Sequence, residues 1–139
     1  MKINDTKPKS HEALAIIKEW QDKYHTTKNG DVIFQNKALL SNVKFNETSL
    51  HKIMDHLRGF ENLPDTIEKA NEVWSYWENP KVQRVVIRNY ILIGEKSDNF
   101  VVTTRDGVVE DTNFVTNSRL DNYRKGVILY ETKRSNGKS

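Results

Sequence analysis

The 139-residue chain contains no cysteine, which excludes disulfides, thiol nucleophiles and cysteine-held zinc. No apolar run approaches the roughly 20 residues that a membrane-spanning helix needs, and Met1 to Ser10 lacks the apolar stretch of a secretory signal. The expectation is a soluble chain, cytoplasmic where it is made, with no membrane partner. Signature motifs are missing as well. There is no Walker loop, no G-x-G-x-x-G, no G-x-S-x-G and no H-E-x-x-H. Neither a cofactor nor a metal is expected.

Hydrophobic residues make up 36% and charged residues 29% of the chain, which suits one packed domain with a wet, charged surface. Polar tails are expected over residues 1–9 and 135–139, with a single domain over 10–134. The net charge is only +3, but it is unevenly placed. Residues 1–80 carry 11 basic and 12 acidic side chains, whereas residues 81–139 carry 11 and 7. An anionic partner is therefore expected on the second part.

Leu14, Ile17, Trp20 and Tyr24 recur at helical spacing between Ser10, a suitable N-cap, and the Asn29-Gly30 stop, predicting a helix over about His11 to Thr26. Two short strand-like pieces follow, Asp31 to Gln35 and Asn42 to Phe45. Leu50, Ile53, Met54 and Leu57 then mark a second helix, capped by Asn46 or Thr48 and ended near Gly59. A third helical stretch is expected from Pro64 or Asp65 through Ile67, Val73 and Trp74 to the stop at Glu78, Asn79 and Pro80. Beyond Pro80 the β-formers dominate. Strands are expected at Gln83 to Ile93, Phe100 to Thr104, Val108 to Val115 and Lys125 to Glu131, with a hairpin turn at Arg105-Asp106-Gly107 and a loop at Ser118 to Asn122. The fold class is α+β, with N-terminal helices packed on one face of an antiparallel meander of about four strands.

Alternation along the first long strand sends Val85, Ile87, Ile91 and Ile93 toward the helices and leaves Arg84, Arg88 and Tyr90 together on the other, open face. Trp20, Trp74 and Trp77 are expected as core or helix-sheet contacts. Among the four histidines, His11 and His25 sit at helix ends and His56 lacks acidic neighbours one turn away. His51 has Glu47 and Asp55 one turn before and after it, and either carboxylate could orient its ring and raise its pKa. What remains is a metal-free set of histidine, arginine, hydroxyl and tyrosine. Such a set suits cleavage of RNA, whose own 2′-hydroxyl is the nucleophile. The protein then has only to move protons, stabilise charge on phosphorus and hold a splayed base.

The stretches Leu50-His51-Lys52-Ile53-Met54-Asp55-His56, Leu63-Pro64-Asp65-Thr66-Ile67-Glu68, Asn71-Glu72-Val73-Trp74 and Tyr123-Arg124-Lys125-Gly126-Val127-Ile128-Leu129-Tyr130 resemble those of phage and polymorphic-toxin nucleases. These make up the barnase, EndoU, colicin E5/D and RelE-like superfamily. The resemblance spans about residues 45 to 132. It implies two helices before a four-stranded antiparallel sheet, a histidine on the helix before the sheet, a basic residue on a strand and polar groups on later strands. Carried onto this chain, the catalytic set is His51, Arg84, Arg88, Thr116 and Tyr130. The substrate-binding set is Ser118, Tyr90, Tyr123 and Arg124. The chain departs from the pattern at Ala70-Asn71, where a proline is expected, and among Thr103, Thr104, Thr112 and Thr116, which offer four positions for one threonine.

The implied activity is metal-independent endonucleolytic cleavage of RNA such as tRNA. It would be that of a toxin or phage-associated effector delivered into a target cell, with an immunity or antitoxin protein as partner. The alternatives are a catalytically inactive module of the same fold that binds RNA or protein, and an interaction domain of a phage head or secretion assembly.

Overall fold

The computed structural model describes residues 10–55, 57–93 and 96–132, the side chains of residues 10 and 89–98 excepted. The expected tails and His56 lie outside the described residues. In chain order the elements are α1 (Ser10–Lys23), β1 (His25–Thr26), β2 (Val32–Gln35), β3 (Asn42–Phe45), α2 (Glu47–Ile53), a first 3-10 helix (Phe60–Asn62), α3 (Leu63–Glu68), β4 (Glu72–Asn79), β5 (Val82–Ile93), β6 (Lys96–Arg105), β7 (Val108–Val115), a second 3-10 helix (Asn117–Tyr123) and β8 (Val127–Glu131).

The α+β class is as expected, but a four-stranded meander is not what forms. Eight strands make one mixed sheet in the order β1-β2-β3-β7-β6-β5-β4-β8. Two rearrangements contribute to the difference, beside the joining of β1–β3 to the sheet through β7. The segment from Val73 to Glu78, expected as the end of a helix, is strand β4, because α3 stops at Glu68 and the run Val73-Trp74-Ser75-Tyr76-Trp77 is rich in β-formers. The last strand also does not extend the meander. β8 crosses to the far side and pairs antiparallel with β4, its entry turn closed by Gly126 at φ +77°, where a Cβ would collide with the carbonyl oxygen of Ser75.

The β6–β7 hairpin forms where Asp-Gly predicts it, with Asp106 at φ 53° and Gly107 at φ 79°. Gly107 also accepts the amide hydrogen of Lys44 at 2.8 Å. That contact joins β3 to β7 in parallel at Lys44 and Val108. The helix leaving β3, α2, is thereby set against β7.

The core lies between the helices and one sheet face. Ala13, Ile17 and Trp20 of α1 pack with Leu50 and Ile53 of α2, Leu63 and Ile67 of α3, and Val73, Ile87, Phe100, Val102 and Val109 of the sheet. Trp20 is the hub, with its ring centroid 5.4 Å from Phe34, 5.4 Å from Phe45 and 4.7 Å from Phe60. The other face is not open as expected. Val86, Val101 and Val115 are covered there by Leu120 of the second 3-10 helix, with Trp74, Tyr76 and Tyr123 packed around them. A segment read as loop thus becomes the lid of a second, smaller core. Of the three tryptophans, Trp20 is buried and Trp74 half-buried, whereas Trp77 is 61% exposed and lies outside the core.

Candidate active site

Two β-bulges build a cluster of charged side chains at one end of the sheet. In the β4–β5 ladder Trp77 pairs with Gln83 and Asn79 with Val82, so Glu78 is skipped. In the β6–β7 ladder Thr104 pairs with Val109 and Thr103 with Asp111, so Glu110 is skipped. A bulged residue leaves the regular pleat and its side chain is re-aimed. Here both re-aimed carboxylates reach the same arginines, Arg84 and Arg105, which face each other across β5 and β6.

Arg84 donates to Glu78 through Nε at 2.8 Å and Nη2 at 3.3 Å, and its Nη1 contacts Glu110. Arg105 reaches both carboxylates, through Nη2 to Glu78 and Nε to Glu110, each at 3.3 Å. A third cation comes from the helix side, where Lys52 donates to Glu110 at 3.0 Å. Its position is fixed at the start of α2. The Asn46 side chain accepts from the Ser49 amide at 3.0 Å while the Asn46 amide donates to the Ser49 hydroxyl at 3.2 Å, a reciprocal cap that locks the first turn.

Lys52, Arg105 and Glu110 of this cluster line a cleft of about 260 Å³, together with Asn46, Thr48, Asp106, Val108 and Val109. Three cations stand against Glu78 and Glu110, with Asp106 on the wall. Hydrogen bonding from Arg84 holds the Glu78 carboxyl below its ordinary range. Glu110 is the enclosed member, its side chain 13% exposed against 45% for Glu78. Among the described residues, no group of three or more histidine, cysteine or acidic side chains could hold a metal ion.

The expected residues divide between this cluster and other places. Arg84 is in it. His51 is on α2, the helix that carries Thr48 and Lys52, but it is not among the residues that line the cleft. It is exposed, with Nε2 4.0 Å from Glu47, and Asp55 is not its partner. Thr116 and Ser118 are exposed and hydrogen-bonded to each other at 3.1 Å, at the start of the second 3-10 helix. Tyr130 packs half-buried against the main core. Tyr123 packs against the second core, where burial first and the charge of Asp111 second raise its hydroxyl. The backbone of Tyr90 pairs with Asn99, and its side chain lies outside the described residues.

Arg88 and Arg124 form a separate, interior network. Arg88 is 3% exposed and sits against Glu72, itself 3% exposed. Arg88 Nη1 donates to Asn99 at 2.7 Å, and Asn99 in turn donates to Asn117 at 2.9 Å and to the Val115 carbonyl at 3.1 Å. Arg124 grips both oxygens of Glu72, at 3.0 and 2.9 Å, and Asp121 at 2.8 Å. Trp74 Nε1 adds a bond to Glu72 at 2.9 Å. Burial pushes Glu72 upward, but the bonds from Arg124, Trp74 and Arg88 and the charge of Arg88 together hold it at about 2. The same bond to Glu72 is the main cause that raises Arg124. Arg84 and Arg88 share a strand face, as alternation predicts, yet of the two it is Arg84 that contacts Glu110 at the cleft wall. The second 3-10 helix roofs the other.

Glu78, Glu110, Lys52 and Arg105 were not among the residues singled out from sequence. Bulges carry no clear sequence mark. The available signal was a charged residue interrupting each β-forming run, Glu78 after Trp77 and Glu110 after Val109.

Residues 11–131 match the model of a family described as phage-Barnase-EndoU-ColicinE5/D-RelE like nuclease2. No curated protein and no solved structure matches the chain.

Proposed function

The chain belongs to the phage-Barnase-EndoU-ColicinE5/D-RelE like nuclease2 family, and from that premise we propose that it is an endoribonuclease working without a metal at the bulge-built cleft. The observation that carries this reading is the convergence of Glu110 with Lys52, Arg84 and Arg105. A carboxylate among three phosphate-binding cations has the parts that 2′-hydroxyl attack requires.

In this mechanism Arg84, Arg105 and Lys52 bind the scissile phosphate. Glu110 takes the proton from the 2′-hydroxyl, and O2′ attacks phosphorus. The phosphorus–O5′ bond breaks, a proton passes to O5′, and the product ends in a 2′,3′-cyclic phosphate. His51, the histidine on the same helix as the cleft residues Thr48 and Lys52, is the proton donor in this scheme. Arg88 and Arg124 act by holding Glu72 and the second 3-10 helix in place, and Thr116 and Ser118 at the start of that helix contact the substrate further along the chain. The role is that of a toxin or phage-associated effector, whose cognate inhibitor would cover the cleft.

The test is cleavage of RNA by wild type, Glu110→Gln and His51→Ala in chelator. Loss of cleavage in both variants with unchanged folding supports the assignment. Cleavage at the wild-type rate by Glu110→Gln removes it.

A further inference from the structure

We propose that Glu78 is a stand-in for phosphate: in the free protein its carboxylate occupies the guanidinium groups of Arg84 and Arg105, and substrate binds by displacing it. The inference rests on the reading that these arginines bind the scissile phosphate.

Three observations support it. The first is geometric. Two nitrogens of Arg84 meet the two oxygens of Glu78, at 2.8 and 3.3 Å, and Arg105 adds a third contact at 3.3 Å. A planar fork on two oxygens of one anion is how arginine also binds a phosphate. The second is the contrast between the two carboxylates. Glu110 is enclosed, 13% exposed, and held by three cations, whereas Glu78 is 45% exposed. Glu78 can swing into water without leaving a buried charge behind. The third is its placement on a bulge near the end of β4, two residues before Pro80. The ladder skips Glu78, so a change in its side chain breaks no cross-strand pair.

A competing carboxylate lowers affinity for the correct anion and lowers it more for weak ones. Glu78 would therefore set a threshold. A polyanion that supplies several phosphates displaces it, and isolated buffer anions do so less readily. A glutamate is ionised at neutral pH at its ordinary value, and hydrogen bonding from Arg84 lowers Glu78 further, so the competition operates there in full.

The experiment measures binding of a short 2′-O-methyl RNA, which cannot be cleaved by 2′-hydroxyl attack, to wild type, Glu78→Gln, Glu78→Ala and Arg84→Ala. Steady-state cleavage of the matching unmodified RNA runs beside it, and thermal unfolding checks each fold. Both Glu78 variants should bind about two- to fivefold more tightly, the scale of an exposed ion pair. KM should fall by a similar factor with kcat little changed. Equal or weaker binding by both variants, or a fall in kcat with KM unchanged, overturns the proposal, because a residue that only steadied Arg84 would act in that way. Arg84→Ala separates the two failures. If it weakens binding while the Glu78 variants do not tighten it, the phosphate reading stands and the stand-in role falls. If it binds as wild type, both fall.

Discussion

Glu78 and Glu110 lie on different hairpins, each at a position that its strand ladder skips, and both carboxylates end on the guanidinium of Arg84. The sheet thus brings together, at one end, charges that the chain places more than thirty residues apart. Their different exposure sets different roles. Glu110 is the enclosed base and Glu78 the displaceable anion. Replacing Glu110 by Gln keeps its size and removes its proton affinity. The expected outcome is a loss of about 10²–10⁴ in kcat, read by single-turnover cleavage.

Arg84 and Arg88 occupy the same face of β5, yet substitution should separate them. Arg84→Ala should lower kcat about a hundredfold or more with a small effect on unfolding. Arg88→Ala leaves Glu72 buried with less compensation and should cost about 3–5 kcal/mol of stability. Denaturant unfolding of both variants, paired with cleavage rates, distinguishes a clamp on substrate from a strut in the interior.

Glu72 gives the fold an acid limit. Its carboxyl is held at about 2 against an ordinary 4.5, so the folded state prefers the ionised form. That stability is present in full above pH 4.5 and is lost as pH falls from there toward 2. The difference corresponds to about 3 kcal/mol. Glu72→Gln should flatten this part of the stability curve and should be less stable at neutral pH, where Arg88 and Arg124 lose their counter-charge. Unfolding free energies between pH 2 and 7, the range in which the effect falls, test this.

His51 supplies the proton in the scheme, so His51→Ala should slow cleavage about a hundredfold or more with the fold unchanged. Cleavage by His51→Ala at the wild-type rate, measured beside thermal unfolding, assigns the acid to another group.

Much of this structure was legible in the sequence, and the part that was not has identifiable physical causes. Local signals carried well. The helical repeat of Leu14, Ile17 and Trp20, the Asn46 cap and the Asp106-Gly107 hairpin all formed where side-chain spacing and backbone preference placed them. The family resemblance also held over most of the chain. What failed depended on partners distant in sequence. β4 follows a short helix that ends at Glu68, and besides its hairpin with β5 it is held by β8, more than fifty residues further on. The burial of Arg88 depends on a segment some thirty residues later folding back as a 3-10 helix. Alternation correctly put Arg84 and Arg88 on one face, but it carries no information on which part of that face is roofed. The two bulges were the deepest omission, since the residues they re-aim, Glu78 and Glu110, complete the cleft.

The most direct test of the nuclease assignment is the product formed from a defined RNA incubated with purified protein in chelator. The same RNA carrying a 2′-deoxy substitution at the cleaved position, and the Glu110→Gln variant, serve as controls. The expected result is a fragment ending in a 2′,3′-cyclic phosphate from the unmodified RNA, with neither the deoxy substrate nor the variant yielding it. Cleavage of the deoxy substrate at a comparable rate, or undiminished cleavage by Glu110→Gln, would contradict 2′-hydroxyl attack at this cleft.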